Sequence, residues 1–244
     1  MPRHADPNAR DALIAAARAE FSRRGLRGAR IEDITAACDL SKGAFYLHFP
    51  SKEALFGELV EAFANELGPS TERRHADMER LIAKHGPITR RDVQERSPAY
   101  GEMLELETAA DLLLLEHMWS YRDVVGVLLS GSRGTAFENV VWDMTDREIE
   151  RVKETFSRFQ ANHACRDDIP PEVFGSMVVG TYLLLGARMS RMAEKPDLRE
   201  WARSLQMLIR EGSAPVESAA QQPVLVSAAP RNEVAARMVN GLTT

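Results

Sequence analysis

Residues 40–52 read LSKGAFYLHFPSK. Ser41, Lys42, Tyr46, His48 and Lys52 supply hydroxyl, ammonium, phenol and imidazole groups, and Gly43 stands among them without a side chain. Such donors suit phosphate oxygens and base edges, and an aromatic ring can meet a thymine methyl. A helix that enters the major groove of DNA needs small or hydrogen-bonding residues at its N-terminus, where the backbone comes closest to the duplex. Ser41, Lys42 and Gly43 fit that need. The helix also needs an apolar back, and Leu40, Ala44, Phe45 and Phe49 are spaced to provide one, leaving Tyr46 and His48 on the opposite side. Lys52 opens the next helix, where its charge and the exposed amides are expected to hold a phosphate.

These groups act only if short helices position them. Leu13, Ile14, Ala17 and Phe21 share one face of a helix expected over 9–24, with Gly25 as its C-cap. A short helix follows over 31–37, then the turn CDLS, then a helix over 42–48 that Pro50 stops. Two short helices joined by a tight turn make a helix-turn-helix. Ser51 is placed to cap a fourth helix, with Glu53 in its first turn.

The segment ARIEDITAACDLSKGAFYLHFPSKEALF resembles the DNA-binding signature of the tetracycline-repressor (TetR) family of bacterial transcriptional regulators. The matching elements are Ser-x-Gly-x-x-Tyr-x-His-Phe followed by x-x-Lys-x-x-Leu, within about residues 10–60. The resemblance implies DNA contacts at Ser41, Lys42, Gly43, Tyr46, His48 and Lys52, with Thr35 on the preceding helix as a further candidate. Two positions depart from the pattern. Arg30 stands where the family commonly caps the second helix with Thr or Ser, and an arginine there could reach a phosphate. Asp39 replaces the turn glycine, which is tolerable because Asp visits left-handed conformations.

Beyond residue 50 the pattern stays helical, so the fold class is all-α. Helices are expected from Ser51 toward Leu67, over 69–84, 99–118 and 121–129, from a Thr135/Glu138 capping box to Asn162, and over 172–193 and 197–211. The expected organisation is an N-terminal three-helix helix-turn-helix DNA-binding domain (1–50) and a C-terminal helical domain (51–211). The resemblance makes the latter a ligand-binding and dimerisation domain. Residues 212–244, rich in Ala, Pro, Gln and Ser, are expected to be a flexible tail with a short helix near 233–239.

The last two helices are apolar over more of their circumference than one core contact requires. Val178, Tyr182, Leu185, Met189, Trp201, Leu205 and Leu208 are the candidate homodimer interface, a four-helix bundle made with a second copy. In the middle helices Tyr100, Met103, Glu107, His117, Trp119, Phe137, Trp142 and Met177 combine apolar bulk with occasional polar anchors. They are candidates for a cavity taking a lipophilic or aromatic effector. The expected partners are double-stranded operator DNA, a second copy and a small-molecule effector. A DNA-binding regulator without such a ligand is the alternative.

The 244 residues carry a net charge of −5, unevenly spread. Residues 1–52 hold nine Lys/Arg against six acids, a charge of +3, which leaves −8 on the remainder. A basic head on an acidic body points to a local anionic partner for the head. An enzyme is not expected: there is no H-E-x-x-H, G-x-S-x-G or phosphate loop, and the six histidines are scattered singly. Cys38 and Cys165 match no metal or disulfide spacing, so neither metal nor cofactor is expected and the compartment reads as reducing and cytoplasmic. The N-terminus lacks the apolar stretch of a signal peptide, and no segment is long enough to imply a membrane anchor.

Overall fold

The computed structural model describes residues 7–215, and the regular secondary structure among them is entirely helical. Helix α1 (Pro7–Gly28) buries Leu13, Ala17, Phe21 and Leu26 along one face. It kinks at Gly25, whose φ of 68° is a conformation that a β-carbon disfavours. Helices α2 (Ile31–Ala36) and α3 (Lys42–His48) follow, joined by a turn in which Asp39 takes φ 54°, as expected for the residue replacing glycine. Arg30 flanks α2 in an extended conformation and makes no side-chain cap. Ser51 caps α4 (Lys52–His85) by accepting from the Ala54 amide at 3.0 Å.

Helix α4 runs through Pro69, where the sequence predicts a break between two helices. Proline removes the hydrogen bond to the carbonyl four residues earlier, here Asn65. That residue is exposed, so water can serve the carbonyl and the helix survives. A short helix that the sequence pattern does not predict, α5 (Arg90–Glu95), starts at a Thr89/Asp92 capping box. It is followed by α6 (Pro98–Ser120), α7 (Arg122–Gly126) and one π-helical turn (Val127–Gly131).

The predicted Thr135/Glu138 capping box does not form. The Glu138 carboxylate accepts instead from the Gly134 amide at 2.9 Å, and α8 (Val140–Ala161) begins after Asn139 without a side-chain cap. Helix α9 (Pro171–Met189) ends four residues before the predicted Ala193. Helix α10 (Leu198–Ser213) passes the predicted end at Glu211 because Ser213 is buried and its carbonyl accepts from the Arg166 amide at 3.0 Å. The expected tail therefore starts inside a helix; residues 216–244, with the helix expected near 233–239, lie outside the described residues. Among the described residues no helix is long and apolar enough to cross a membrane.

Head and body share one core. Phe21 of α1, Phe45 of α3 and Phe49 just after it pack with Leu55, Phe56 and Leu59 of α4 and with Val124, Val127 and Leu128 around the π turn. The kink at Gly25 meets the π turn at backbone distance: a β-carbon on Gly131 would lie 3.0 Å from the Gly25 α-carbon. Beside it Arg18 holds Asp123 with two hydrogen bonds of 2.6 Å and donates to the Ser120 carbonyl at 2.7 Å. Gly186 is also crowded, but by the movable Met118 methyl at 2.7 Å. Gly131→Ala should therefore lower unfolding free energy by about 1–3 kcal/mol, and Gly186→Ala by clearly less. Urea unfolding of the two variants checks the contrast.

Candidate nucleic-acid interface

Helix α3 is held by its back face. Phe45 and Phe49 are buried, their ring centroids 5.7 Å apart, and Phe49 also lies under the Arg10 guanidinium at 5.1 Å. Arg10 in turn pairs with Glu58 of α4. With its back anchored from α1 and α4, α3 turns its other side outward. Ser41, Lys42 and Gly43 are exposed at its start, Tyr46 is 50% exposed and Leu47 is 56% exposed. His48 is half-buried beside Phe49.

Several of the sequence-predicted contacts sit together on this face and some do not. Ser41 caps α3, its oxygen accepting from the Ala44 amide at 3.1 Å, which leaves its O–H free to donate outward. Lys42 donates to Glu32 at 2.6 Å, bridging α3 to α2. That carboxylate holds the Lys42 ammonium above its ordinary pKa, and Lys42 holds Glu32 below its own. Arg30 is exposed at the start of α2. Thr35 is buried, and its hydroxyl donates back to the Ile31 and Glu32 carbonyls at 3.0 and 3.1 Å. It packs the helix pair and presents nothing to a ligand.

Lys52 also departs from the sequence expectation. Its ammonium donates to the Arg27 and Ala29 carbonyls at 3.0 and 2.8 Å, satisfying the C-terminal end of α1 where the helix dipole is negative. It ties α4 to α1 rather than standing free for a phosphate. Leu47 is the residue that the sequence expectation leaves out. Its exposure on the same turn as Tyr46 gives the face an apolar group suited to a thymine methyl. An unpartnered leucine next to a glycine-led helix start is the signal that could have revealed it.

The predicted effector residues are dispersed. Tyr100 and Met103 are buried with Leu81 and Ile88. Glu107 is buried in an ion pair with Arg74, which also bonds Asp111 at 3.0 Å. His117 stacks on Phe63 at 5.0 Å and bonds its carbonyl at 2.9 Å. Trp119 lies under Arg122, and Phe137 packs edge-on to Phe56. Trp142 and Met177 are 56% and 50% exposed, which removes them from any interior cavity. Among the described residues no cluster of His, Cys, Asp and Glu could hold a metal ion.

The predicted dimer residues divide in the same way. Met189 and Leu205 belong to the protomer's own core with Leu115 and Leu198, so they cannot face a partner. Tyr182, Leu185 and Trp201 pack partly against that cluster, and Val178 against Phe156 and Phe174. Leu208 is exposed, and with it Met207, Val173, Met177 and Leu184. The spacing of the last three puts them on one stripe of α9.

A family model described as bacterial regulatory proteins, tetR family, matches residues 13–59, from α1 into the first turns of α4. The chain is 47% identical over 47 residues to the HTH-type transcriptional repressor DhaR of Mycobacterium sp. (strain GP1), a match covering 19% of this chain and 24% of that one. The chain thus spans about a quarter of that curated relative's length. Its fold is similar to that of the MbdR regulator from Azoarcus sp. CIB, with a TM-score of 0.58 and 18% identity over 84% of this chain and 98% of the other. It is also similar to that of a TetR-like transcriptional regulator from Rhodococcus sp. RHA1, with a TM-score of 0.55 and 19% identity over 86% and 100% of the two chains.

The Lys52 contacts lead to a test. Lys52→Met keeps the unbranched stem of the side chain and removes the charge-assisted bonds to α1. It should lower unfolding free energy by about 1–3 kcal/mol while leaving the salt dependence of DNA binding unchanged. Denaturant titration and binding isotherms at several salt concentrations measure both.

Proposed function

We propose that the chain is a homodimeric transcriptional repressor of a palindromic operator, released by a small effector, a reading supported by its match to the tetR family of bacterial regulatory proteins over residues 13–59. The observation that carries this reading is the exposed face of α3. Ser41, Lys42, Gly43, Tyr46 and Leu47 project from a helix whose aromatic back is fully buried. A short helix held so firmly, with donors at its N-terminus, is equipped for base edges and flanking phosphates.

One such helix buries too little surface to bind DNA tightly. Two copies one helical turn apart, about 34–36 Å, read a palindrome. The exposed apolar side chains of α9 and α10, with Leu184 at 71% and Leu208 at 67%, are the surface we assign to the second copy. On this reading residues 1–50 are a DNA-binding head and residues 51–211 an effector-binding, dimerising body. No catalytic role is part of this reading.

An effector acts only through different affinities for two conformations. Helix α4 is the element common to head and body, and the Gly25–Gly131 contact ties α1 to the same junction. A shift of α4 would change the separation of the two α3 helices, and a coupling of about 1–3 kcal/mol would weaken operator binding about 5- to 150-fold. A second reading, the DNA-binding dimer without a small-molecule ligand, is favoured by one observation: the predicted effector residues do not surround a common cavity.

Mobility shifts on the DNA flanking the chain's own gene test the head. Tyr46→Ala should weaken specific binding about 10-fold or more, while Glu32→Gln should tighten binding about two- to five-fold by freeing Lys42 for a phosphate. If both variants bind as the parent does, α3 is not the reading helix. For the dimer, Leu184→Glu should give a monomer by sedimentation and abolish the shift on a full palindrome.

A further inference from the structure

We propose that the DNA-contacting surface extends past the head: Arg27 at the end of α1 and Arg133 in the loop before α8 hold phosphates on the rim of the groove that α3 enters. An element of the body would then touch DNA directly. The proposal rests on the reading of α3 as the groove helix and adds a phosphate-binding site to it.

A row of cations leaves the N-terminus of α3. Lys42 bridges to Glu32 in the first turn of α2, and Arg30 is the residue that flanks that turn. The carbonyls of Ala29 and Arg27, just before it, accept from Lys52. The Arg27 guanidinium lies against Gly134: a β-carbon there would stand 3.0 Å from its Nη1. Arg133 is the next residue along that loop. Arg30, Arg27 and Arg133 are all exposed. The acids of this corner are engaged elsewhere. Asp33 faces Arg24 at 3.9 Å, Glu53 faces Lys52 at 3.9 Å, and Glu138 accepts from the Gly134 amide at 2.9 Å. The three guanidinium groups are left without an ion pair among the described residues.

The loop holds Arg133 in place. Ser132 is buried; its hydroxyl donates to the Leu128 carbonyl at 2.8 Å, and its own carbonyl accepts from the Thr135 hydroxyl at 2.6 Å. Phe137 packs edge-on to Phe56 of α4 at 5.0 Å. Arg133 thus stands between two anchored residues, on backbone that needs no further ordering to bind. A guanidinium offers five N–H donors in a fixed fork that matches the oxygens of a phosphate. If α3 lies in the groove, a row that starts at its N-terminus and runs outward meets the phosphates of the flanking backbone. Because the loop is seated on Phe56, phosphate contact at Arg133 is linked to the position of the first turns of α4.

Binding isotherms of the full chain on DNA selected from random sequence, at several salt concentrations, test the row. Arg133→Gln and Arg27→Gln should each flatten the plot of log affinity against log salt by about two units, one phosphate per protomer of a dimer. Each should weaken operator and unrelated DNA alike, and lysine at either position should keep the parent slope. Arg91→Gln, which removes the same charge from α5, should leave the slope unchanged. Ethylation interference locates the phosphates: those outside each half-site that the parent needs should no longer matter to Arg133→Gln. If Arg27→Gln does not fold, the exposed Arg133 still decides the matter. The site is refuted if Arg133→Gln keeps the parent slope, if Arg91→Gln flattens it as much, or if the interference pattern is the same in parent and Arg133→Gln. Tyr46→Ala keeps the two levels apart: if it loses the operator while both arginine variants bind as the parent does, the row is wrong and the α3 reading stands. If the parent binds no DNA, both fall.

Discussion

Phe21, Phe45, Phe49 and Phe56 are all fully buried, and the short helices of the head could not bury them alone. Helix α2 has six residues and α3 has seven, lengths at which an isolated helix has no stability in water. They exist because their aromatic and aliphatic backs join a core completed by α4 and by the π turn. The orientation of Tyr46 and Leu47 is a consequence of that shared core, and so is the dependence of the head on the body. Leu55, Phe56 and Leu59 are the closing wall of the head, and they fall within the residues that the family model matches.

Polar interactions then fix what the apolar core leaves free. Lys52 closes the end of α1, Arg18 clamps α1 to the start of α7, and Lys42 bridges α3 to Glu32. The first two lie at the junction and are partly shielded from solvent; the third is exposed and costs little to exchange for another anion. The body has its own buried set, in which Arg74 bonds Glu107 and Asp111, and Gln206 bonds Asp111 at 2.6 Å. This set joins α4, α6 and α10, so the element that leaves the head is locked to the helices deep in the body. Helix α4 is thereby the rigid link through which events in the body would reach α3.

Much of the head was legible in the sequence because its rules are local. Gly25, Asp39, Ser41, Pro50 and Ser51 each act within a few residues of themselves, and the apolar spacing separates Phe45 and Phe49 from Tyr46. Thr35 and Lys52 were not legible in the same way: their side chains are spent on backbone carbonyls, in the case of Lys52 some 25 positions away. In the body, periodicity identified apolar faces without distinguishing the protomer's own core from a surface left for a partner, so Met189 and Leu205 were placed on the wrong side. Pro69 predicts a break because the sequence does not show that Asn65, four residues before it, is exposed.

The central claim is that α3 of each of two copies enters successive major grooves of one DNA face. Hydroxyl-radical and methylation footprinting of the full chain on DNA selected from random sequence tests it directly. The account predicts two symmetric major-groove protections about one helical turn apart, 34–36 Å, both lost in Tyr46→Ala. A single protected half-site, protection confined to the minor groove, or no sequence enrichment at all would contradict it.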